Sequence, residues 1–312
     1  SLATGVLTQL TDHAGSEGNP AVSPDGRFLA YAATAGIRKG YNGAELVIKD
    51  FKTGETRTLT DTLDRSIADI QWSDNSKRIW IRYDDLGVGR VAEVDLNGKL
   101  RKAEIVIGGT AIGRPYTSGA FSVAGDARLA FTQGRDDRPA DIAVFRPGKA
   151  PLQLTDLNSD LMGQRQMARV ERLVWPSSHD ELMIEGWVMK PPGFDPSRQY
   201  PMILEIHGGP HAAYGPNYST EAQLYAAAGY VVFYTNPRGS TSYGDTFANE
   251  IDLAYPGYDY DDLMSGVDAL IEKGFVDPTQ LFVTGGSGGG VLTAWIVGKT
   301  DRFRAAVVAK PV

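Results

Sequence analysis

The residues most capable of chemistry surround Ser287, in the stretch Leu281-Phe-Val-Thr-Gly-Gly-Ser-Gly-Gly-Gly-Val-Leu-Thr293. The pattern Gly285-x-Ser287-x-Gly289, between a predicted strand and a predicted helix, is typical of a sharp turn that presents a nucleophilic serine. Such a turn strains the serine backbone, and glycine on both sides avoids collisions with neighbouring elements. The helix that follows points its first N–H groups at the place where negative charge develops. The alternatives are a plain βα loop or a phosphate-binding turn, but the Gly-Lys-Ser/Thr of a P-loop is missing.

A second motif, His207-Gly-Gly-Pro-His211, directly follows a predicted strand at Met202–Ile206. A hydrolase needs two backbone donors around the oxyanion that forms during attack. One donor is the N–H of the residue after the nucleophile, here Gly288, and the other comes from a loop after an earlier strand. We therefore predict Gly209 as the second donor, with Gly208 as the neighbour that could replace it.

None of the four histidines is predicted to be the base. In folds of this kind the histidine follows the serine in the chain, whereas His207 and His211 both precede the serine. His207 is expected to form hydrogen bonds that hold its own loop. His13 and His179 are expected to lie in surface turns.

The loop Asn236-Pro-Arg-Gly-Ser-Thr-Ser-Tyr-Gly244 follows another predicted strand and should lie at the same sheet edge as the other two motifs. Arg238 in this loop could bind an acidic group of the substrate, brace the neighbouring loops or simply pack there. Asp259, Asp261 and Asp262 resemble a paired-carboxylate site. They open a predicted helix, however, so N-terminal capping explains them better.

Strands and helices alternate in the second half of the chain, after a boundary near residues 158–166. The predicted strands are 170–175, 182–189, 202–206, 230–235, 281–284 and 305–309, and the predicted helices are 220–228, 261–273 and 288–298. The first two strands should pair antiparallel around a turn at 176–180. The alternation of the others implies a parallel sheet with helices on both faces, which is an α/β fold.

The first half, to about residue 158, shows short strands and turns with a weak internal repeat. Ser23, Ser73 and Ser122 mark the same place in three units, at spacings of 50 and 49 residues. Each unit continues into a predicted hairpin, because glycine supplies the positive φ of a tight turn. The three predicted hairpin turns are Thr53-Gly54, Asn97-Gly98 and Pro147-Gly148.

Four strands in each repeat of about 50 residues are typical of a β-propeller blade, and blades must stack to bury both faces. About three blades are visible, and Thr8-Gln-Leu-Thr11 resembles the last strand of an earlier one. Three blades are too few to close a propeller, so we expect either missing or unrecognised blades. An irregular β-sandwich is the alternative. We predict a β-propeller-like domain over residues 1–160 and an α/β domain over residues 161–312.

Composition argues against several classes of protein. The 312-residue chain has a net charge of −7 and no basic run, which disfavours a nucleic-acid partner. No apolar stretch approaches the roughly 18 residues of a membrane span. With no cysteine and four histidines, we expect no disulfide, metal site or cofactor, and the cytoplasm and periplasm suit the chain equally. The first residue is Ser1 and no leader pattern follows it, so we expect processing or a start further upstream.

Together the three motifs resemble the prolyl oligopeptidase family of serine peptidases, most closely its acylaminoacyl-peptidase and dipeptidyl-peptidase-like branch. His207-Gly-Gly-Pro210, Asn236-Pro-Arg-Gly-Ser240 and Gly285-Gly-Ser-Gly-Gly-Gly290 follow that family's order at similar spacing. The resemblance implies a β-propeller cap over an α/β-hydrolase domain, with the active site in the cavity between them. It also implies cleavage of short peptides, because the cap excludes folded proteins. Ser287 would be the nucleophile, and a later Asp and His would complete the triad.

The chain departs from that family at two points. Gly288 stands where the family usually has a bulky residue such as Tyr. The segment that should hold the acid and base does not follow, apart from Asp301 in an adjoining loop, and a serine without a base is a poor nucleophile. We therefore expect residues 1–312 to be part of a longer polypeptide and to be inactive alone.

Two other functions stay open at the level of sequence. A carboxylesterase would use the same serine turn and oxyanion loop, although simple esterases lack a propeller cap. A non-catalytic binding module would combine a propeller with a hydrolase shell that has lost its triad. The expected partner is a short peptide, and the residues leave open both homo-oligomerisation and whether a free or a blocked amino terminus is recognised.

Overall fold

The computed structural model describes residues 3–36, 39–125 and 127–311. Its first half forms three four-stranded antiparallel sheets in which each strand pairs with its neighbours in sequence. The first sheet contains β1 (Glu17–Val22), β2 (Phe28–Thr34), β3 (Ala44–Asp50) and β4 (Thr56–Thr58). The second contains β5 (Ile67–Trp72), β6 (Arg78–Asp85), β7 (Val88–Asp95) and β8 (Leu100–Lys102). The third contains β9 (Phe121–Ala124), β10 (Arg128–Gln133), β11 (Asp141–Phe145) and β12 (Leu152–Gln153). Such repeated four-stranded meanders are the unit of a propeller blade.

Glycine lies in the last hairpin of each of these sheets. Gly54, Gly98 and Gly148 have φ values of 79°, 82° and 75°. Glycine adopts this left-handed conformation without the steric cost that a Cβ brings. The hairpin turns therefore lie where the sequence predicted them.

Two expectations for this half are wrong. Residues 8–11 form no strand, because no strand in the described parts of the chain pairs with their backbone. Ser122 lies inside β9, whereas Ser23 and Ser73 lie directly after β1 and β5. Those two hydroxyls accept the N–H of the first residue of the next strand, at 2.9 and 3.2 Å. The third unit makes its turn without this serine, so Ser122 does not mark the same position.

Successive four-stranded sheets pack face to face through apolar side chains. One core lies between the first and second sheets and includes Ile48, Trp72 and Ile81. Another lies between the second and third sheets and includes Trp80 and Phe131. Trp80 and Ile81 are consecutive in β6 and point to opposite faces, so the second sheet contributes to both cores.

The second half forms one six-stranded sheet with the strand order β13-β14-β16-β15-β17-β18. Its strands are β13 (Val170–Pro176), β14 (Met183–Met189), β15 (Tyr200–Ile206), β16 (Val231–Asn236), β17 (Val276–Gly286) and β18 (Ala305–Ala309). The strands β16, β15, β17 and β18 run parallel to one another. Strand β14 pairs antiparallel with both of its neighbours, β13 and β16. The carboxyl ends of β15, β16 and β17 therefore meet at one sheet edge.

Three helices cover the two faces of this sheet: α2 (Thr220–Ala227), α4 (Asp259–Ile271) and α5 (Gly288–Lys299). Two short helices, α1 (Ser159–Met162) and α3 (Asp245–Asn249), lie in the connections. Leu263 of α4 and Ile296 of α5 are fully buried in one core, and Ala226 of α2 is fully buried in the other. In β16, Phe233 packs in the core with Leu263 and Ile296, and the next residue, Tyr234, packs in the core with Ala226 on the opposite face. The sequence did not predict α3, because five residues are too few to show a helical period.

Candidate active site

Ser287 lies between β17 and α5, at the edge where the parallel strands end. Its φ of 55° and ψ of −121° are those of neither helix nor strand, and such a backbone costs a residue with a side chain of order 1–3 kcal/mol. The Ser287 N–H donates to the carbonyl of Ala309 at 3.0 Å. The residue is exposed, and its hydroxyl has no hydrogen-bond partner in the described ranges. The hydroxyl is therefore open to a substrate.

Two glycines let this turn pass very close to backbone atoms. A Cβ at Gly285 would lie 2.5 Å from the carbonyl carbon of Gly289. A Cβ at Gly289 would lie 2.7 Å from the carbonyl oxygen of His207, at the end of β15. Cβ atoms do not approach backbone so closely, so a side chain at either position would displace the turn. This is the physical reason for the Gly-x-Ser-x-Gly spacing.

Gly288 and Gly209 lie against each other beside the serine. A Cβ at Gly288 would be 2.9 to 3.1 Å from the carbonyl carbon, oxygen and nitrogen of Gly209. Within the described residues neither N–H is donated to another group. Gly288 is also the first residue of α5, where unpaired N–H groups carry partial positive charge. Two free amides in this position can hydrogen-bond an oxyanion.

Gly208 is not free to replace Gly209 as a donor. Its N–H already donates to the hydroxyl of Tyr116 at 2.8 Å. A Cβ at 208 would lie 3.4 Å from the Cβ of Ser287, so Gly208 borders the serine closely. The free amide of this loop therefore belongs to Gly209, and the expectation that either glycine could serve is corrected.

His207 is buried, and both of its ring nitrogens have neighbours within the adjoining loops. Nδ1 donates to the carbonyl of Gly208 at 2.8 Å, and Nε2 lies 2.9 Å from the Ser240 hydroxyl. Burial lowers the pKa of His207 to about 4, so the ring is neutral at physiological pH. The Gly208 carbonyl and the Gly209 N–H belong to one planar peptide group. The bond from His207 therefore orients the free Gly209 donor.

Arg238 connects the loops around it through a buried guanidinium. Its buried guanidinium donates to both carboxylate oxygens of Asp262 at 2.9 to 3.2 Å and to Asp180 at 2.8 and 3.1 Å. Although burial opposes it, these carboxylates raise the pKa of Arg238 above its usual value. These contacts favour the loop-bracing alternative for Arg238 over the substrate-binding one.

The acidic residues at the start of α4 have different roles. Asp259 Oδ1 accepts the N–H groups of Gly257 and Tyr260 at 2.7 and 2.9 Å at the start of the helix, while the N-cap residue, Tyr258, makes no side-chain cap bond. Asp262 is fully buried and belongs to the ion pair with Arg238. The expectation that capping explains Asp262 is therefore wrong, because the sequence gives no sign of a partner 24 residues away.

Residues 216–312 match the model of the prolyl oligopeptidase family. This part of the chain is therefore similar in sequence to that family. The peptidase YuxL of Bacillus subtilis, named as uncharacterized, is 35% identical over 378 residues, covering 100% of this chain and 56% of that protein. Dipeptidyl-peptidase 5 of Porphyromonas gingivalis is 28% identical over 296 residues, covering 93% of this chain and 42% of that protein. The chain thus spans about half the length of the curated relatives it matches.

Solved structures of the family share the fold. An acylaminoacyl peptidase of Pyrococcus horikoshii superposes with a TM-score of 0.77 at 24% identity, covering 91% of this chain and 43% of that one. A puromycin hydrolase superposes with a TM-score of 0.67 at 20% identity, covering 96% of this chain and 53% of that one. Such family structures combine a propeller with a hydrolase domain.

Among the described residues, no helix has the length and apolarity that crossing a membrane requires.

The family motifs do not include two residues that border the site, Arg114 and Tyr116. Both lie in the long connection between β8 and β9, residues 103–120. Arg114 Nε donates to Glu221 at 2.8 Å, and a Cβ at Gly286 would lie 3.2 Å from its Nη1. A connection of this length without regular strands is usually functional in a compact domain. That length was the signal in the sequence that could have indicated this loop.

Glu205 is a buried carboxyl group immediately behind the His-Gly-Gly motif. Burial raises the pKa of Glu205 to about 8. Two neighbours act in the opposite direction and lower this pKa: the Arg114 guanidinium lies 3.3 Å from the carboxylate, and the Tyr214 hydroxyl donates a hydrogen bond to it at 3.0 Å. Glu205 therefore binds a proton far more tightly than an exposed glutamate does.

No group of His, Cys, Asp or Glu side chains in the described parts of the chain is arranged to hold a metal ion.

Proposed function

We propose that this chain forms part of a serine peptidase that cleaves short peptides through an acyl-enzyme intermediate. The observation that carries the proposal is the exposed Ser287 on its strained turn, beside the free amides of Gly209 and Gly288. The match of residues 216–312 to a peptidase family supports the same chemistry. The names of the relatives favour release of a dipeptide or an acylated amino acid from the substrate.

The proposed reaction begins when the Ser287 hydroxyl attacks the scissile carbonyl carbon and its proton passes to an imidazole base. The carbonyl oxygen becomes negatively charged and accepts hydrogen bonds from Gly209 and Gly288. As the tetrahedral intermediate collapses, the C–N bond breaks and the base returns its proton to the leaving amine. Water then attacks the ester on Ser287 by the same two steps and releases the acid product.

We propose that the base and its aspartate lie beyond residue 312, because the four histidines of this chain are otherwise engaged. His207 is buried in its loop, and His211 Nδ1 lies 3.0 Å from the carbonyl of Gly239. His13 lies at the surface of the first sheet, and the His179 ring stacks on an exposed tyrosine. On this proposal residues 1–312 alone react poorly, since none of the described residues beside the Ser287 hydroxyl is a base that could remove its proton.

The test is covalent labelling of the polypeptide that also carries the base. A fluorophosphonate probe should label Ser287, and Ser287→Ala should abolish both labelling and hydrolysis of dipeptidyl and acylaminoacyl arylamides. Ser197→Ala is the matched control, because Ser197 is an exposed serine that donates to Asp195 in a loop. It should keep both activities. Labelling that persists in Ser287→Ala would rule out this nucleophile, and hydrolysis of esters without arylamides would indicate a carboxylesterase.

A further inference from the structure

The hydroxyl of Tyr116 reaches from the β-sheet half of the chain to the loop beside Ser287. Its oxygen accepts the N–H of Gly208 at 2.8 Å. A phenol that accepts a hydrogen bond still has its own O–H to donate. Among the described residues this donor has no acceptor. The side chain therefore brings an unused donor to the edge of the proposed catalytic site.

This donor borders the same small space as the nucleophile. A Cβ at Gly208 would lie 3.2 Å from the Tyr116 oxygen and 3.4 Å from the Cβ of Ser287. A carbonyl carbon ready for attack lies about 3–3.5 Å from the serine oxygen. Its oxygen must also reach the amide of Gly209, the next residue of the same loop. A carbonyl that also meets the Tyr116 hydroxyl from this position would gain a third donor.

The structure also fixes the position of Tyr116. The carbonyl of Pro115 accepts from Gly215 at 2.8 Å, and the N–H of Thr117 donates to the same loop at 2.9 Å. The ring of Tyr116 packs edge-on against Tyr214, with centroids 4.7 Å apart. A donor that is held in place before the substrate arrives needs no reorganisation during the reaction.

We propose, resting on the serine peptidase function above, that Tyr116 is a further catalytic residue. Its O–H donates to the scissile carbonyl oxygen as negative charge develops there, while its oxygen holds the Gly208 amide. The oxyanion then has three donors, which are Gly209, Gly288 and Tyr116. No proton is transferred by the phenol. The β-sheet half thus supplies part of the catalytic machinery as well as a cover.

The direct test is Tyr116→Phe in the full polypeptide, since phenylalanine keeps the ring contact and removes only the hydroxyl. Loss of one oxyanion donor typically lowers kcat about 10²-fold to 10³-fold. We expect a loss of about 10²-fold in kcat with KM changed by less than about threefold, because the bond strengthens in the transition state. Tyr200→Phe is the matched control: its hydroxyl also accepts a backbone N–H at 2.8 Å, from Asp195. It should leave kcat unchanged.

A second measurement separates donation by Tyr116 from a purely structural role. Difluorotyrosine at position 116 keeps the size of the side chain but makes the phenol a stronger acid. Once ionised, the phenolate still accepts from Gly208 but no longer donates. We expect kcat of this enzyme to fall as pH rises through the ionisation of the fluorinated phenol. The same label at position 200 should leave the pH profile unchanged.

The outcomes distinguish this inference from the proposed function. If Ser287→Ala is inactive but Tyr116→Phe keeps kcat within about threefold of the parent, the role of Tyr116 is overturned and the peptidase stands. A flat pH profile for difluorotyrosine at 116 overturns it as well. An equal loss in Tyr200→Phe would show a general effect of lost hydroxyls and overturn it too. If hydrolysis survives Ser287→Ala, the proposed function itself fails.

Discussion

Replacing Gly289 with alanine adds one methyl group to the first turn of α5, where the helix passes the end of β15. The new Cβ would lie 2.7 Å from the carbonyl oxygen of His207 and 2.9 Å from the carbonyl carbon of Ile206. Both neighbours are backbone atoms and cannot rotate away. Overpacking costs typically 1–3 kcal/mol, and we take about 3 here. Alanine regains about 1 kcal/mol as the better helix former, which leaves a net loss of about 2 kcal/mol.

The control for this prediction lies in the same helix. Gly298 is exposed, and a Cβ there would have no other atom within 4 Å. Gly298→Ala should therefore only gain helix propensity and stabilise by up to about 1 kcal/mol. Urea unfolding of both variants measures the difference, provided that their m-values agree. If Gly289→Ala stabilises the protein as Gly298→Ala does, the close approach of α5 to β15 is not what requires glycine.

Two further predictions concern buried charges. Arg238→Met should lower the free energy of unfolding by about 3–5 kcal/mol, because it leaves the buried Asp262 carboxylate without its cation. Arg57→Met, which breaks an ion pair with Glu55 in which both side chains are exposed, should have little effect, and equal losses in urea would contradict the role of burial. Glu205 has a pKa raised from 4.5 to about 8, so the folded state holds a proton that the unfolded chain has already released. Stability should therefore fall between about pH 5 and pH 8, by up to ~1.4 kcal/mol per pH unit. Glu205→Gln should flatten that slope, and an unchanged slope in pH-dependent denaturation would refute this explanation.

Features with local causes could be predicted from the sequence. The turn at Ser287 needs an apolar strand, two glycines and a helix within about a dozen residues, and all of these are contiguous. The hairpins at Gly54 and Gly98 likewise depend on the φ of a single residue. Element limits were less accurate: β17 begins at Val276 rather than 281. Its first residues pair only through an irregular register with β15, which a sequence pattern does not reveal.

Features with distant causes could not be predicted in the same way. Arg238 and Asp262 both attracted attention as residues, but nothing local shows that they are partners. Tyr116 and Gly208 are 92 residues apart, and their hydrogen bond exists only because the β8–β9 connection folds back onto the six-stranded sheet. The choice of partners depends on tertiary packing, within the second half for Arg238 and between the halves for Tyr116, and a local sequence pattern describes neither.

The peptide group between Gly208 and Gly209 explains why the site needs contacts from distant parts of the chain. Two consecutive glycines have the greatest backbone freedom, and Gly209 adopts a φ of 136° that other residues avoid. Left alone, this segment would present its amide in many directions. His207 holds the Gly208 carbonyl and Tyr116 holds the Gly208 N–H, so the peptide groups on both sides of the Gly208 Cα are fixed. Glycine allows the close approach to Ser287, and these two side chains remove the freedom that glycine introduces. Loss of either side chain should therefore disorder the oxyanion donors before it unfolds the sheet.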